Sequence, residues 1–376
     1  MKAATSLLLF SVLGLLVLGI VMLVSASTGQ PQAKYLVMQP IWAGVGLIAL
    51  LVAASGDYRW LKRFWWVPLL FAVGALVLVL VPHVGLERNG ARRWLGVGRF
   101  TLQPSEFAKV ALIIALAWYG ERYQRFMGQF WRGVVYPATG IAVVLALIFK
   151  EPDVGTTMLL ACVSCMMLLL AGIRWRYIAP PVMLAIAGLV VFIANDPMRS
   201  ARLYSWMHPE ETKLEKGHQT YQSVAALGNG GVQGVGLGEG RQKLGFVPEH
   251  HTDFIFSVIG EELGLIATLG VLLAFLLIVL CAVYIAWNAA DTFGMLIAAG
   301  IACLIALQVI INVGVVTGAL PNKGLALPFI SYGGSNLLIM MGCIGLLINI
   351  GRQAAHHVSM PVLGGDADEL TAPGTA

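Results

Sequence analysis

The sequence predicts an all-α integral membrane protein with about ten transmembrane helices. Hydrophobic residues make up 58% of the 376 residues and charged residues only 11%, which leaves too little polar surface to cover a soluble protein of this size. Apolar runs of about 20 residues, the length that crosses a hydrocarbon core of about 30 Å, also recur along the chain. Soluble globular classes are therefore excluded.

Each sufficiently long apolar run is a candidate membrane span. The candidates are 6–26, 36–55, 66–82, 104–120, 134–149, 155–173, 178–194, 254–287, 294–318 and 336–350. They predict a single polytopic membrane domain over 1–352, with one large extracytoplasmic loop at 195–252. The polar tail 353–376 is expected to be a disordered cytoplasmic segment.

The distribution of Lys and Arg favours cytoplasmic N- and C-termini. Long loops translocate regardless of their charge, and once 195–252 is set aside, more basic residues flank the inner ends of the spans than the outer ends. Four arginines in the short outer segment 83–103 do not follow this rule. Topology alone gives no reason for them.

Cysteine usage and charge distribution argue against two further classes. The five cysteines all fall in apolar runs, which is typical of small core residues rather than of disulfides or metal ligands. The net charge of +5 is spread over the loops. No compact basic domain is present that would favour nucleic-acid binding.

The outer segment 87–109, ERNGARRWLGVGRFTLQPSEFAK, combines turn formers, arginines and a helix start at Pro104. Glu106 and Lys109 are three residues apart, so they share a helix face and can pair. An ion pair inside a membrane is costly unless it is compensated. This pair is therefore interpreted as part of a site or of its scaffold.

The segment KEPDVGTT, 150–157, places Lys150, Glu151 and Asp153 in the short connection between the fifth and sixth spans. Pro152 and Gly155 are typical of a tight reversal. On its own the segment is equally compatible with a solvated turn and with a functional group.

The end of the long loop, 226–253, is rich in glycine. Because no strand precedes it, close backbone approach to a ligand or a neighbouring helix explains the glycines better than a phosphate-binding loop does. Glu249, His250, His251 and Asp253 could form a metal cluster by composition. Their spacing does not match a familiar helical ligand interval, so a metal site is the less favoured interpretation.

The segment GALPNKGLALPFISYGGSN, 318–336, interrupts an otherwise apolar region with two prolines, four glycines and Lys323. Non-helical backbone at membrane depth is tolerated only where protein buries it or where it lines a wet cavity. The segment therefore predicts a re-entrant type of loop that enters a central cleft.

Four motifs together resemble the SEDS family of shape, elongation, division and sporulation proteins. They are NGARRW…QPSEFAK, EPDVGTT, GRQKLGFVPEHHTDFIFSVIGEELG and LPNKGLALPFISYGGSN, and they occur in this order between 87 and 336. The last motif is closer to the cell-division branch than to the elongation branch. The resemblance implies a peptidoglycan glycosyltransferase of the bacterial inner membrane that polymerises lipid II during septal cell-wall synthesis and releases undecaprenyl pyrophosphate.

The resemblance also implies roles for individual residues. Asp253, at the outer end of the eighth span, matches the essential acidic position and is the expected catalytic base, and Glu106 with Lys109 is the expected supporting ion pair. Because a pyrophosphate leaving group is stabilised by cations and hydrogen-bond donors, outer polar residues are candidates for substrate binding. These candidates are Arg92, Arg93, Arg241, Lys243, Lys323 and Ser331. Glu261 and Glu262 lie deeper and are assigned to interhelical hydrogen bonds or partner contacts.

The expected partners are lipid II, the growing glycan strand, a class B penicillin-binding protein, other division proteins and membrane lipid, with no nucleic acid. No cofactor is evident, and the sequence leaves open whether a divalent cation is required. Broken helices and intramembrane charge also fit a flippase or transporter of lipid-linked precursors. The elongation-type member of the family and a non-catalytic scaffold are further alternatives.

Overall fold

The computed structural model describes residues 1–26, 34–88, 91–97, 100–212, 217–241 and 252–358. Its helices are α1 Lys2–Ala26, α2 Lys34–Ser55, α3 Arg59–Arg63, α4 Trp66–Leu80, α5 Pro104–Arg122, α6 Tyr136–Lys150, α7 Val154–Leu170, α8 Trp175–Ala194, α9 Pro197–Met207, α10 His218–Gly230, α11 Ile255–Trp287, α12 Thr292–Val316 and α13 Gly334–Val358. A 3₁₀ turn, Gln124–Phe126, and a π-helical turn, Trp131–Val135, lead into α6.

The predicted all-α membrane fold is confirmed. Seven helices of the described chain are long and apolar enough to cross a bilayer, namely α1, α2, α6, α8, α11, α12 and α13. The shorter apolar helices α4 and α7, together with the charge-bearing α5, coincide with the remaining predicted spans. The ten predicted spans therefore each correspond to a helix, although only seven helices meet the length and hydropathy requirements by themselves.

The helices differ in how deeply they lie in the bundle. Within the most apolar stretch of each helix, 72% of residues are buried in α13 and 61% in α12, but only 6% in α8. Helices α5, α7 and α11 pack against α12, and α2 runs along α13. The centre of the protein is therefore built around α12 and α13, while α8 lies at the periphery.

A small antiparallel sheet, which the sequence analysis did not predict, lies in the connection between α4 and α5. Its strands are β1 Gly85–Arg88, β2 Ala91–Val97 and β3 Phe100–Leu102, in the order β1-β2-β3. Asn89-Gly90, the dipeptide between β1 and β2 in the sequence, is a typical hairpin signal. Ser335 at the start of α13 fastens β3, because its hydroxyl donates to the carbonyl of Thr101 at 3.2 Å.

The predicted outer loop 195–252 contains two helices in its described part. Trp206 of α9 donates from Nε1 to the carbonyl of Gly318 at 2.9 Å, and Ser223 of α10 donates to the carbonyl of Val316 at 2.7 Å. Both helices are thus anchored to the end of α12 and the loop that follows it.

The C-terminal boundary also differs from the prediction. Helix α13 continues to Val358, so the first six residues of the predicted tail 353–376 are helical. The remainder, 359–376, lies outside the described residues.

Candidate active site

Asp253 lies half-buried in the turn that precedes α11. Its backbone carbonyl accepts a hydrogen bond of 2.8 Å from Nδ2 of Asn312, and the same amide donates to the carbonyl of Leu325 at 2.7 Å. The Ser331 hydroxyl donates to the carbonyl of Thr252 at 2.5 Å. Hydrogen bonds from Asn312 and Ser331 therefore hold the main chain at Thr252 and Asp253 next to the 317–333 loop.

The Asp253 side chain lies directly against Gly324. A methyl group added at Gly324 would collide with Oδ2 of Asp253, so a side chain at this position would displace the carboxylate or the loop. The lack of a side chain at Gly324 thus allows this close approach of backbone to carboxylate. Because Lys323 is the preceding residue, the loop brings a base candidate and a cation candidate to the same place.

Glu106 and Lys109 form a buried ion pair in the first turns of α5, with 2.8 Å between Oε2 and Nζ. Lys109 is fully buried and also donates to Oε1 of Gln308 at 3.4 Å. Gln308 in turn donates from Nε2 to the carbonyl of Ala326 at 2.8 Å. The pair predicted from the sequence spacing is present, and it connects through one glutamine to the loop that contacts Asp253.

Lys323 is partly buried beside the first turn of α7. Its Cδ and Oδ1 of Asp153 both lie next to Gly155, 3.5 and 3.7 Å from a methyl group placed there. The pKa of Lys323 is lowered to about 8, chiefly by burial; the charge of Asp153 opposes this shift, while those of Arg199, Arg202 and Arg93 add to it. The Lys323 side chain therefore lies near the carboxylate of Asp153 at the start of α7.

Arg93 and Arg92, neighbours on β2, have different surroundings. Arg93 donates to the carbonyls of Glu151 and Pro152, at 2.8 and 2.6 Å, and so connects the sheet to the turn between α6 and α7. Arg92 pairs with Glu87 at 3.2 Å on the exposed side of the hairpin. Of the two, it is Arg93 that contacts the turn containing Glu151.

Glu151 is buried in the same turn, and neither carboxylate oxygen has a hydrogen-bond partner among the described residues. The pKa of Glu151 is raised to about 8, chiefly by burial and also by the Asp153 charge, while the Arg93 charge opposes the rise. Asp153 itself caps α7, because its carboxylate accepts from the backbone and the hydroxyl of Thr156, at 3.1 and 2.8 Å.

Three further predicted substrate contacts have other positions. Ser331 is buried, and its hydroxyl accepts from the backbone of Leu327 at 2.8 Å while it donates to Thr252. The Arg241 side chain is exposed. Lys243 lies outside the described residues, as do Glu249, His250 and His251 of the metal alternative. Within the described part of the chain, no group of three or more His, Cys, Asp or Glu residues could hold a metal ion.

Helix α11 is broken at Gly264, whose φ of 78° and ψ of −171° are not helical. The glycine-rich segment 231–236 closes the break, because its carbonyls at Gly231 and Val232 accept from the N–H groups of Leu265 and Ile266. Its N–H groups at Val235 and Gly236 donate to the carbonyls of Glu261 and Glu262, at 3.0 Å each. The backbone groups freed by the break are thus paired, as membrane depth requires.

The side chains of Glu261 and Glu262 bind backbone N–H groups that follow this segment in the chain. Glu262 accepts from the Ser25 hydroxyl of α1 at 2.5 Å and from the backbone of Gly238 at 3.1 Å, while Glu261 accepts from the backbone of Arg241 at 3.1 Å. Interhelical hydrogen bonding by Glu262 is therefore observed. The glycines serve close approach to a neighbouring helix, as predicted.

Four polar residues of this region lie outside the four sequence motifs. Gln308 and Asn312 are amides four residues apart in the otherwise apolar α12, a pattern that indicates one polar stripe toward a helix neighbour. Arg199 and Arg202 lie in the long loop, where sequence alone gives no position relative to Lys323.

Comparison with known proteins agrees with this architecture. The family model FtsW/RodA/SpoVE, described as cell cycle protein, matches residues 6–356. The chain belongs to this family. A relative named probable peptidoglycan glycosyltransferase FtsW, from Geobacter metallireducens, is 42% identical over 338 residues, which cover 88% of this chain and 90% of the relative.

Solved structures of the family have the same fold. A chain from a structure described as the coordination of polymerization and crosslinking by a peptidoglycan synthase complex superimposes with a TM-score of 0.78 at 28% identity, covering 92% of this chain and 97% of that one. The rod shape determining protein RodA of Thermus thermophilus gives a TM-score of 0.70 at 27% identity, covering 92% and 96%. Within the FtsW/RodA/SpoVE family, the chain is thus more similar in sequence to this FtsW than to this RodA.

Proposed function

We propose that the protein is a peptidoglycan glycosyltransferase that polymerises lipid II into glycan strands and releases undecaprenyl pyrophosphate. The observation that carries this proposal is the meeting of Asp253 with the Lys323–Gly324 loop. A carboxylate beside a loop that carries a lysine suits a transfer in which a hydroxyl must lose a proton and a pyrophosphate must leave.

In the proposed reaction, the acceptor sugar hydroxyl attacks the anomeric carbon of the donor while Asp253 takes the hydroxyl proton. The bond from the anomeric carbon to the pyrophosphate oxygen breaks, and the lipid pyrophosphate leaves with the bonding electrons. Asn312 and Ser331 are positioning residues, since they hold the backbone on both sides of Asp253. The Glu106–Lys109 pair supports the facing loop through Gln308.

Cations of the outer loops are proposed to stabilise the leaving group. Lys323 is the first candidate because it directly precedes Gly324, which contacts the Asp253 carboxylate. Arg93 contributes charge from the sheet while its guanidinium holds the 151–152 turn. Arg92, Arg241 and Lys243 are candidates of lower rank, since Arg92 is paired with Glu87 and the side chain of Arg241 is exposed.

We assign the protein to septal synthesis in the bacterial inner membrane, with both termini cytoplasmic. Its higher identity to an FtsW protein than to a RodA protein supports the division role over the elongation role. A class B penicillin-binding protein and other division proteins are the proposed partners. The structural neighbour from a complex of polymerization and crosslinking supports the first of these.

The deciding experiment measures conversion of labelled lipid II into glycan chains by the purified protein in neutral detergent, alone and with a class B penicillin-binding protein. Asp253→Asn keeps the side-chain volume and should abolish polymerisation, because a general base contributes about 10²–10⁴-fold to the rate. Glu239→Gln, at an exposed acid of the outer segment, should polymerise normally.

Unfolding midpoints of the two variants should match that of the wild type, which separates chemistry from folding. Transport has no meaning in detergent micelles, so polymerisation there also distinguishes the enzyme from a flippase. Near wild-type glycan yield from Asp253→Asn would remove Asp253 as the base.

A further inference from the structure

A group of exposed arginines lies at the end of α5 that is remote from the candidate active site. The helix contains Glu106 and Lys109 in its first turns, and its 19 residues carry the chain about 28 Å to its other end at Arg122. The segment that joins α5 to α6 and the turn that joins α7 to α8 lie at this end. Together they carry four exposed arginines, called here the arginine cluster: Arg125, Arg132, Arg174 and Arg176.

The two segments that carry the arginine cluster contact each other. The rings of Phe130 and Tyr177 meet edge to face, with 5.9 Å between their centroids. Nε of Arg174 lies 3.9 Å from a methyl group placed at Gly128, and Met127 is buried beside these residues. Arg174 of one segment therefore lies against the backbone of the other.

The position of Arg132 is defined by its neighbours. Its guanidinium lies over the ring of Phe126, with 4.4 Å from the guanidinium carbon to the ring centroid, and Phe126 follows Arg125 in the chain. The Tyr119 hydroxyl donates to the carbonyl of Arg132 at 2.5 Å. The cluster therefore consists of two pairs on adjoining segments, Arg125 with Arg132 and Arg174 with Arg176.

No carboxylate in the described part of the chain pairs with the arginine cluster. The nearest acid in the sequence, Glu121, pairs with Lys62 at 2.7 Å. The sequence has no Asp or Glu between 122 and 150 or between 154 and 195. Among the described residues, none of the four arginines belongs to an ion pair. An anion that binds the cluster would therefore have to come from outside these residues.

Two exposed tryptophans next to the cluster indicate the kind of anion. Trp131 is 66% exposed and Trp175 is 71% exposed, and each is the first residue of a candidate membrane span. Tryptophan at the end of a span is typical of the level of the lipid headgroups. The arginines beside these rings are therefore placed to meet lipid phosphates.

We propose that the arginine cluster binds the headgroup of a phospholipid that carries two phosphates, as cardiolipin does. Guanidinium groups bind phosphate oxygens through paired hydrogen bonds, so each arginine pair suits one phosphate. A phospholipid with a single phosphate would engage only one pair. The binding is separate from the proposed reaction, because the cluster lies at the far end of α5 from the Glu106–Lys109 pair.

The test counts lipids that stay bound to the full-length protein. Protein freed of lipid in neutral detergent is titrated with cardiolipin, phosphatidylglycerol or phosphatidylethanolamine, and bound lipid is measured by native mass spectrometry. Cardiolipin should bind at least tenfold more tightly than phosphatidylglycerol, and phosphatidylethanolamine should bind more weakly than both. Equal affinity for cardiolipin and phosphatidylglycerol would overturn the inference.

Substitutions locate the binding site. Arg132→Gln and Arg174→Gln remove one arginine from each pair, and each should weaken cardiolipin binding at least fivefold. The double variant should bind cardiolipin no better than phosphatidylglycerol. Arg352→Gln, at an exposed arginine of α13, is the matched control because it removes the same charge outside the cluster. All variants should keep the unfolding midpoint of the wild type.

The control separates a defined site from a diffuse attraction. Diffuse attraction between anionic lipid and basic residues does not depend on a particular arrangement of the arginines, so it would make Arg352→Gln as damaging as Arg132→Gln. That result would overturn the inference, as would a full cardiolipin preference in the double variant. A polyglutamate peptide provides the other comparison. If it binds the cluster in detergent and cardiolipin does not displace it, the surface recognises an acidic protein segment and the lipid assignment is wrong.

Discussion

Two regions beside the 317–333 loop hold their polar groups in different ways. Around Asp253, the side chains of Ser331, Asn312 and Gln308 each have partners within the protein, and the supporting ion pair is almost entirely buried. Around α9, Arg199 stacks over Phe192 of the peripheral helix α8 and pairs with Asp196, and both charged side chains are partly exposed. The comparison indicates that buried hydrogen bonds fix the backbone at Asp253, whereas Arg199 is held by contacts that solvent reaches.

The largest effect should come from breaking the buried ion pair on the Asp253 side. Glu106→Ala or Lys109→Ala leaves an uncompensated charge and should lower the free energy of unfolding by about 3–5 kcal/mol. Lys62→Ala is the matched control, since its 2.7 Å pair with Glu121 is partly exposed and should contribute about 0–1 kcal/mol.

A double-mutant cycle in detergent checks the contact itself. The exchanged pair Glu106→Lys with Lys109→Glu should recover part of the lost stability. Additive losses without any recovery would show that the two side chains do not interact energetically.

A smaller effect should follow from loosening the backbone at Asp253. Asn312→Leu removes two hydrogen bonds to carbonyls, and unmade buried hydrogen bonds cost about 1–3 kcal/mol each. We expect kcat for lipid II to fall roughly tenfold or more, with KM little changed. Asn288→Leu, at an exposed amide that bonds only within its own helix turn, should leave kcat unchanged. A wild-type kcat for Asn312→Leu would contradict the positioning role.

The pH dependence of lipid II turnover should distinguish an effect of the Lys323 charge from an effect of its side-chain shape. Below about pH 8 its amine is protonated and stabilises the leaving group, and this contribution is lost as the pH rises through its lowered pKa of about 8. Lys323→Ala should reduce turnover about tenfold at pH 7, equivalent to about 1.4 kcal/mol.

Lys323→Arg stays charged at every accessible pH and is the control for this prediction. Its turnover should remain level between pH 7 and 9, where the wild-type rate declines. The same decline in both proteins would assign the titration to another group.

The smallest effect is expected at Arg92. Its pair with Glu87 is exposed on both sides, and such pairs contribute about 0–1 kcal/mol. Arg92→Ala should therefore change the unfolding midpoint and lipid II turnover only slightly, whereas Arg93→Ala removes two hydrogen bonds to the 151–152 turn. Equal effects of the two substitutions on turnover would argue that the hairpin orientation is not as described.

Hydropathy was sufficient to predict the spanning helices, because apolar length alone determines which segments cross a bilayer. It could not predict the sheet at 85–102, whose short strands depend on pairing with each other rather than on periodicity. It also missed the break in α11, since apolar residues continue through Gly264 and hydropathy is insensitive to a single φ angle.

At the site, local spacing predicted the Glu106–Lys109 contact, because i and i+3 positions meet on any helix. Long-range proximity was harder to infer. The approach of Gly324 to Asp253 and of the Trp206 indole to the Gly318 carbonyl depends on how α9, α12 and the loops beside them pack. No local pattern in the sequence encodes these distances.

The break in α11 has a consequence for how the chain is made in the cell. The N–H groups of Leu265 and Ile266, just after the break, donate to the carbonyls of Gly231 and Val232. These acceptors precede the break in the chain, so they have already left the ribosome when α11 emerges. The carbonyls of the glycine-rich segment are therefore available before the second half of α11 is made. That half can form these hydrogen bonds as soon as it enters the bilayer.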